Sequence, residues 1–123
     1  MTSPTLIPVR DLAACCSPMA GEPIGAESAA QFAAVLKALA DPARLRILSM
    51  VAAHVDGEAC VCDLTAPLGL QQSTVSHHLR ILVDAGFLSR SQRGTWAYYR
   101  LIPRSLGAVT ALLGTLDPGP DER

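Results

Sequence analysis

Residues 61–86 read VCDLTAPLGLQQSTVSHHLRILVDAG, and this stretch decides the fold. It predicts a short helix from Val61 to Leu68 that ends at Gly69, a residue suited to the left-handed conformation of helix C-termini. A second helix is predicted from Thr74 to Ala85, with Ser73 as its N-cap. Its apolar residues recur at helical spacing: Val75, Leu79 and Leu82. Two short helices around a glycine-containing turn are typical of a helix-turn-helix.

Two further helices are predicted upstream of this segment. The first spans residues 27–40, along which apolar residues recur at helical spacing: Phe32, Val35, Leu36 and Leu39. The second begins at Asp41-Pro42, because Asp is a good N-cap and Pro suits the first helical position, and it ends before His54. Its expected buried residues are the following: Leu45, Ile47, Leu48 and Val51.

A hairpin and a last helix are predicted downstream. Strand-forming residues between Phe87 and Leu101 flank an Arg93-Gly94 turn, which indicates a two-stranded wing. Along residues 104–116 an apolar stripe recurs three and four residues apart, and a dimer is the simplest use of it: Leu106, Val109, Leu113 and Leu116. The fold class is therefore mainly α with a small β-hairpin, a winged helix-turn-helix.

The chain divides into three parts. Residues 1–26 hold four of the nine prolines and are predicted to form a cysteine-bearing arm. Residues 27–116 are predicted to form the domain, and residues 117–123 a disordered tail. No membrane span or secretion signal is visible, so we expect a cytoplasmic protein without a membrane partner.

Positive charge is confined to one block of the chain. The net charge is −1, but residues 71–104 hold five arginines and one aspartate, as a phosphate-binding surface requires. The predicted DNA-facing residues of the fourth helix offer short donors and amides: Gln71, Gln72, Ser73, Thr74, Ser76, His77 and Arg80. Wing residues extend this surface to the DNA backbone: Arg90, Arg93, Thr95 and Arg100. His78 points about 100° away from His77 and is expected to pack or hydrogen-bond within the domain.

Four cysteines form two close pairs: Cys15 with Cys16, and Cys60 with Cys62. In the cytoplasm they are expected to be reduced, which favours metal binding or redox chemistry over disulfides. The sulfurs of Cys60 and Cys62 can converge where an extended stretch enters a helix. Thiolates select soft acceptors, leaving zinc, cadmium, lead, copper(I) or trivalent arsenic. Two cysteines are too few for a closed site, so Cys15 and Cys16 are expected to complete it.

Three segments together resemble the ArsR/SmtB repressors: residues 36–48 (LKALADPARLRIL), 58–64 (EACVCDL) and 73–79 (STVSHHL). The resemblance covers roughly residues 27–116. It implies a homodimer, paired through its first and last helices, that binds a palindromic double-stranded operator and releases it with inducer.

Within that family, the CVCDL segment is similar to the arsenite-sensing motif, which makes As(III) bound by Cys60 and Cys62 the expected inducer. Some of these arsenite repressors carry a further cysteine at the position that Thr65 occupies here. Because this chain lacks that cysteine, the arm cysteines become more necessary to complete the site. A cadmium-, lead- or zinc-responsive repressor of the same fold remains an alternative, although the arm cysteines of the four-cysteine cadmium and lead sensors are spaced apart. Residues 104–116 contain no His, Asp or Glu, so the zinc site that some relatives build on the last helix is absent.

Two other classes remain open. In a thiol redox regulator, oxidation rather than ligation would release DNA. A dithiol reductase using Cys60 and Cys62 is disfavoured, because no phosphate-cradling loop and no acid or base beside the pair is visible. We therefore expect a DNA-binding repressor without an organic cofactor, not an enzyme.

Overall fold

The chain folds into helices that surround a small antiparallel sheet, and the computed structural model describes residues 22–120. In chain order the elements are α1 (Ala26–Leu39), α2 (Pro42–Ala53), β1 (Glu58–Cys60), α3 (Val61–Leu68), α4 (Gln72–Asp84), β2 (Leu88–Arg93), β3 (Trp96–Leu101) and α5 (Ser105–Gly114). Residues 1–21 of the predicted arm, including Cys15 and Cys16, lie outside the described residues, as do residues 121–123 of the predicted tail. Among the described helices, none combines the length and apolarity that a membrane span requires.

The helix-turn-helix is formed by α3 and α4. Helix α3 has the predicted bounds, and Gly69 ends it with a left-handed φ of 68°. Helix α4 begins two residues earlier than expected, so the prediction of Ser73 as N-cap is wrong. Gln71 is the N-cap, with extended backbone, and its carbonyl already accepts the hydrogen bond from the Val75 N–H at 3.0 Å. The turn is therefore shorter than the sequence indicated.

The sheet has three strands rather than the predicted two. Strands β2 and β3 form the expected hairpin, but its turn is Gly94-Thr95 rather than the predicted Arg93-Gly94, because Arg93 still pairs with Trp96. Strand β1 pairs with the other edge of β3. In this register Glu58 lies opposite Arg100, and Cys60 lies opposite Tyr98. The cysteine segment is thus hydrogen-bonded directly to the wing.

The core lies where α2, α4 and the sheet meet. All three predicted inward residues of α4 are fully buried, as are Ile47 and Val51 of α2. The N-terminus of α2 is capped as predicted, because the Asp41 carboxylate accepts the Arg44 N–H at 3.1 Å. Leu45 is 53% exposed, so its predicted burial is wrong. The α2 residues that are buried in the core are Ile47, Leu48 and Val51.

We expect Gly69→Ala to lower the free energy of unfolding by about 1 kcal/mol. No atom lies within 4 Å of a Cβ added at Gly69, so the cost comes from the left-handed backbone alone. Gly107→Ala is the matched control: it also meets open space, but within α5, where alanine favours the helix. Urea unfolding should show a lower free energy of unfolding for Gly69→Ala and a higher one for Gly107→Ala. Equal changes in the two variants would contradict a cost that comes from the left-handed backbone of Gly69.

Candidate thiol site and nucleic-acid interface

Cys60 and Cys62 lie at the junction of β1 and α3. Cys60 is buried and is the N-cap of α3, while Cys62 is exposed in its first turn. The change from strand to helix brings their Cα atoms to 5.4 Å, and the two sulfurs form a disulfide. The expectation that both thiols are reduced is therefore wrong for this structure. The disulfide must be reduced, a two-electron step, before both sulfurs can bind a metal or metalloid as thiolates.

Asp63 is a site residue that the sequence reasoning did not single out. Its carboxylate accepts the Cys60 N–H at 3.0 Å, and His54 Nε2 lies 3.5 Å from the same oxygen. The candidate ligand atoms of Cys60, Cys62 and Asp63 all lie within 4.8 Å of one another. The sequence contained a sign of this role, since an acidic residue three positions after an N-cap commonly accepts a hydrogen bond from the N-cap backbone N–H. Asp63 thus fixes the backbone from which both thiols project.

A cavity of about 440 Å³ opens beside the two cysteines. Residues from the thiol segment, α4 and the wing line it: Cys60, Val61, Cys62, Thr65, Gln72, Thr95, Trp96 and Ala97. Gln72 is the first residue of α4, and Thr95 belongs to the turn of the wing. The space can therefore admit a further ligand side chain at a point that touches both predicted DNA-facing elements.

The predicted reading face of α4 is turned toward solvent. Six of its seven residues are exposed, and Ser76 is half-buried: Gln71, Gln72, Ser73, Thr74, His77 and Arg80. A second cavity, of about 270 Å³, lies between α4 and the sheet and has Arg80 and Arg90 in its lining. Two arginines from different elements therefore border one concave surface, a suitable arrangement for backbone phosphate.

His78 faces the interior of the domain, where it meets Arg44 of α2. One guanidinium nitrogen of Arg44 lies 3.1 Å from His78 Nδ1, and two others donate to carbonyls at the end of α1, those of Ala38 at 2.7 Å and Lys37 at 3.2 Å. The backbone N–H of Arg44 donates to the Asp41 carboxylate and holds the pKa of that carboxyl below its ordinary value. Arg44 therefore joins α1, α2 and α4.

The wing arginines differ in their partners. Arg93 donates to both carboxylate oxygens of Glu58, at 2.7 and 2.9 Å, and Arg100 donates to one of them at 3.4 Å. The hydrogen bonds from Arg93 are the main reason that the pKa of Glu58 lies below its ordinary 4.5. Any stability from this contact is thus present above pH 4.5 and is lost as the pH falls through the lowered pKa. Arg90 instead donates to Gln92 at 2.7 Å.

A helix-turn-helix with an exposed polar second helix, followed by an arginine-bearing hairpin, defines a winged helix-turn-helix DNA-binding regulator. The family model described as "Bacterial regulatory protein, arsR family" matches residues 41–90. The arsenic resistance transcriptional regulator ArsR1 of Pseudomonas putida is 44% identical over 84 residues, 68% of this chain and 64% of the relative. This chain therefore spans less than two thirds of that relative's length.

Two further relatives align over more of their length. The arsenical resistance operon repressor of Staphylococcus xylosus is 36% identical over 92 residues, covering 72% of this chain and 86% of the relative. The crystal structure of the AntR antimony-specific transcriptional repressor superposes with a TM-score of 0.61 at 30% identity, covering 81% of this chain and 89% of that one.

The chain belongs to the arsR family of bacterial regulatory proteins, which confirms the resemblance inferred from the sequence. That family consists of transcriptional regulators rather than enzymes, so the expectation that the chain is not an enzyme is also confirmed.

Proposed function

We propose that the chain is an operator-binding repressor that trivalent arsenic releases from DNA by binding cysteine thiolates. One observation carries the proposal: Cys60 and Cys62 converge at the start of α3, the helix that directly precedes α4. A ligand at these sulfurs therefore acts on the helix-turn-helix itself. The arsenic and antimony named for the relatives support a trivalent metalloid as the inducer.

On the DNA side, α4 is proposed to enter the major groove while the wing lies against the flanking backbone. The exposed amides and hydroxyls at the start of α4 are of the kind that reach base edges. Arg80 and Arg90 are placed to neutralise phosphates beside the groove. Thr95 and Arg93, at the turn of the wing, extend the contact along the backbone.

On the metalloid side, reduction of the disulfide frees two thiols, and a third completes the site. Arsenous acid exchanges its three hydroxyl groups for three thiolates, and each thiol proton leaves with a hydroxyl as water. Cys15 or Cys16 of the arm is proposed to supply the third sulfur. The 440 Å³ cavity beside Cys62 leaves room for such a side chain.

Release follows from the position of the site. Closing three sulfurs around one arsenic atom displaces Cys60, which is both the end of β1 and the N-cap of α3. The first turn of α3 then shifts and tilts α4 out of register with the groove. Allosteric couplings of about 1 to 3 kcal/mol weaken binding about 5- to 150-fold.

The functional unit is proposed to be a homodimer paired through α1 and α5. Large apolar side chains of α5 and the residues just after it are exposed in the single chain: Leu106, Leu113 and Leu116. Pairing would cover this stripe and would place two copies of α4 on the half-sites of a palindrome. Light scattering of Leu113→Glu is expected to give a monomer; a dimer of unchanged mass would exclude this interface.

Titration of a reduced protein–operator complex tests the proposal. Fluorescence anisotropy of a labelled operator, selected from random sequences, is expected to report release by arsenite at lower concentration than by cadmium, lead or zinc. Release by cadmium or lead at lower concentration than arsenite would show that the inducer is a divalent ion rather than the metalloid. The Asp63 carboxylate lies close enough to both sulfurs to serve as a ligand of such an ion. No release by any thiophilic ion would overturn the repressor switch.

A thiol redox switch is the second candidate, and the disulfide between Cys60 and Cys62 favours it. Oxidation would change the same segment without a metal. Peroxide in the presence of a chelator is expected to leave operator affinity unchanged if the metalloid is the signal. Release by peroxide alone, reversed by a phosphine reductant, would establish the redox function instead.

Arg80→Gln is expected to weaken operator binding for all sequences and to reduce the slope of log affinity against log salt by about 1, the signature of one lost phosphate contact. Lys37→Gln removes the same charge from an exposed position on α1, outside the predicted DNA-facing residues, and should leave the salt slope unchanged. Anisotropy at several salt concentrations measures both variants. An equal reduction of the slope in both variants would show that loss of charge alone, rather than the position of Arg80, determines the effect.

A further inference from the structure

Glu58 connects the thiol segment to the wing. It lies in β1, two residues before Cys60, and its carboxylate accepts the forked hydrogen bonds of Arg93 and the longer one of Arg100. The Glu58 side chain is only 16% exposed, whereas those of Arg93 and Arg100 are 53% and 54% exposed. An arginine has five N–H donors, so Arg93 has donors left for a second acceptor. The carboxylate is enclosed, and the guanidinium is accessible to DNA.

We propose that Glu58 is a positioning residue that transmits the state of the thiol site to the wing. Its carboxylate holds Arg93 in the orientation in which the remaining N–H groups meet a backbone phosphate of the operator. Displacement of Cys60 by an inducer withdraws that support. The inference rests on the proposed function, since the trigger is the ligand that binds Cys60 and Cys62.

A second connection leads from the thiol segment to the same guanidinium. Cys60 lies opposite Tyr98 in the β1–β3 ladder, and the Arg93 guanidinium carbon lies 4.7 Å from the centre of the Tyr98 ring. Glu58 itself lies opposite Arg100 in that ladder. Tyr98 and Arg93 both belong to the β2–β3 hairpin, so a shift of β1 relative to β3 moves the Glu58 carboxylate away from a guanidinium that the Tyr98 ring keeps in place.

The contact is better suited to orientation than to stability. Ion pairs with a half-exposed partner such as Arg93 contribute little to the free energy of unfolding, because water and salt screen them. The planar fork of arginine, however, matches a carboxylate in one geometry, so both pairs of atoms must stay in place together. Glu58→Gln is therefore expected to fold, while the orientation of Arg93 is lost.

Arg90 provides a matched control within the same wing. It also belongs to β2 and is exposed, but its guanidinium donates to Gln92 and has no hydrogen bond to β1 among the described contacts. Arg90→Gln removes the same charge as Arg93→Gln. It should weaken DNA binding without affecting the link to the thiol site.

The experiment compares Glu58→Gln, Arg93→Gln, their double variant and Arg90→Gln as full-length, phosphine-reduced protein. Anisotropy gives the operator dissociation constant of each, with and without arsenite. Without arsenite, Glu58→Gln is expected to weaken binding about 3- to 10-fold in the wild-type background and not in the Arg93→Gln background, as for residues in contact. The response to arsenite is the ratio of the operator dissociation constants with and without arsenite. Glu58→Gln and Arg93→Gln should each lower this ratio about 5-fold or more, with no further loss in the double variant. Arg90→Gln should keep the wild-type ratio.

Other outcomes overturn the inference. Additive effects of Glu58→Gln and Arg93→Gln on operator affinity would show that the two residues act independently. Tighter binding by Glu58→Gln, with a steeper salt dependence, would show that the carboxylate competes with phosphate rather than supporting Arg93. If arsenite fails to release the wild-type protein, the proposed function fails, and additivity of the affinities measured without arsenite still decides the role of Glu58.

Discussion

Replacing Cys60 or Cys62 with serine is expected to leave operator binding intact and to abolish release by arsenite, a loss of the whole 5- to 150-fold response. Serine keeps the size of the side chain but offers a hard hydroxyl, which is a poor ligand for a soft metalloid. The backbone hydrogen bond from Cys60 to Asp63 is independent of the sulfur, so the N-terminus of α3 should keep its conformation. Anisotropy of the reduced complex with and without arsenite measures both quantities.

The arm cysteines and Thr65 provide the controls for this result. The double variant Cys15→Ser/Cys16→Ser is expected to respond weakly, because only two sulfurs remain. Adding Thr65→Cys should restore the response, since position 65 lies one helical turn after Cys62 and lines the same cavity. A normal response of the Cys15→Ser/Cys16→Ser variant would exclude the arm from sensing. Release of Cys60→Ser by arsenite at the wild-type concentration would contradict the thiol site itself.

Phe87→Ala is expected to lower the free energy of unfolding by about 3 to 5 kcal/mol, a large share of the 5 to 15 kcal/mol typical of a domain. Phe87 is fully buried between α4 and the wing. Its N–H donates to the Leu82 carbonyl at 3.0 Å, and its carbonyl accepts the Ile102 N–H at 2.9 Å. Truncation leaves a cavity at the point where α4, the hairpin and the chain leading to α5 meet.

Val55→Ala is the comparison for Phe87→Ala. Val55 is 75% exposed, so its truncation should change the free energy of unfolding by less than about 0.5 kcal/mol. Phe87→Leu keeps most of the apolar volume and should fall between the two. Urea unfolding followed by circular dichroism gives all three values. A loss below about 1 kcal/mol for Phe87→Ala would contradict the packing described for the junction.

The elements with strong local signals could be predicted from the sequence. Helix α3 was predicted with its observed bounds because Gly69 ends it, and α2 was predicted at its start because Asp41 and Pro42 fill the two positions that suit them. Strand β1 was missed, because three residues are too few to show an alternating pattern and its pairing with β3 is a long-range contact. The N-cap of α4 was misplaced because serine is the better capping residue, while the turn geometry selected Gln71.

The site was predictable in its residue types and less so in its connections. The positions of Cys60 and Cys62 in the sequence indicated that their sulfurs could converge, but the expectation of free thiols did not anticipate the disulfide. The fork between Glu58 and Arg93 spans 35 residues of sequence, so no local pattern announces it. The same holds for the contact between Arg44 and His78, which joins α2 to α4. Such contacts depend on the packing of whole elements.

The central claim is that arsenic bound to thiolates releases the operator, and one titration tests it directly. Reduced protein, saturated with labelled operator well above its dissociation constant, receives arsenite in small increments. Anisotropy reports the DNA released, and mass spectrometry of desalted samples reports the arsenic retained. The account predicts that release follows bound arsenic and is complete at one arsenic per chain, and that Cys60→Ser retains none. Stoichiometric retention of arsenic with the operator still bound, or release without retained arsenic, would contradict it.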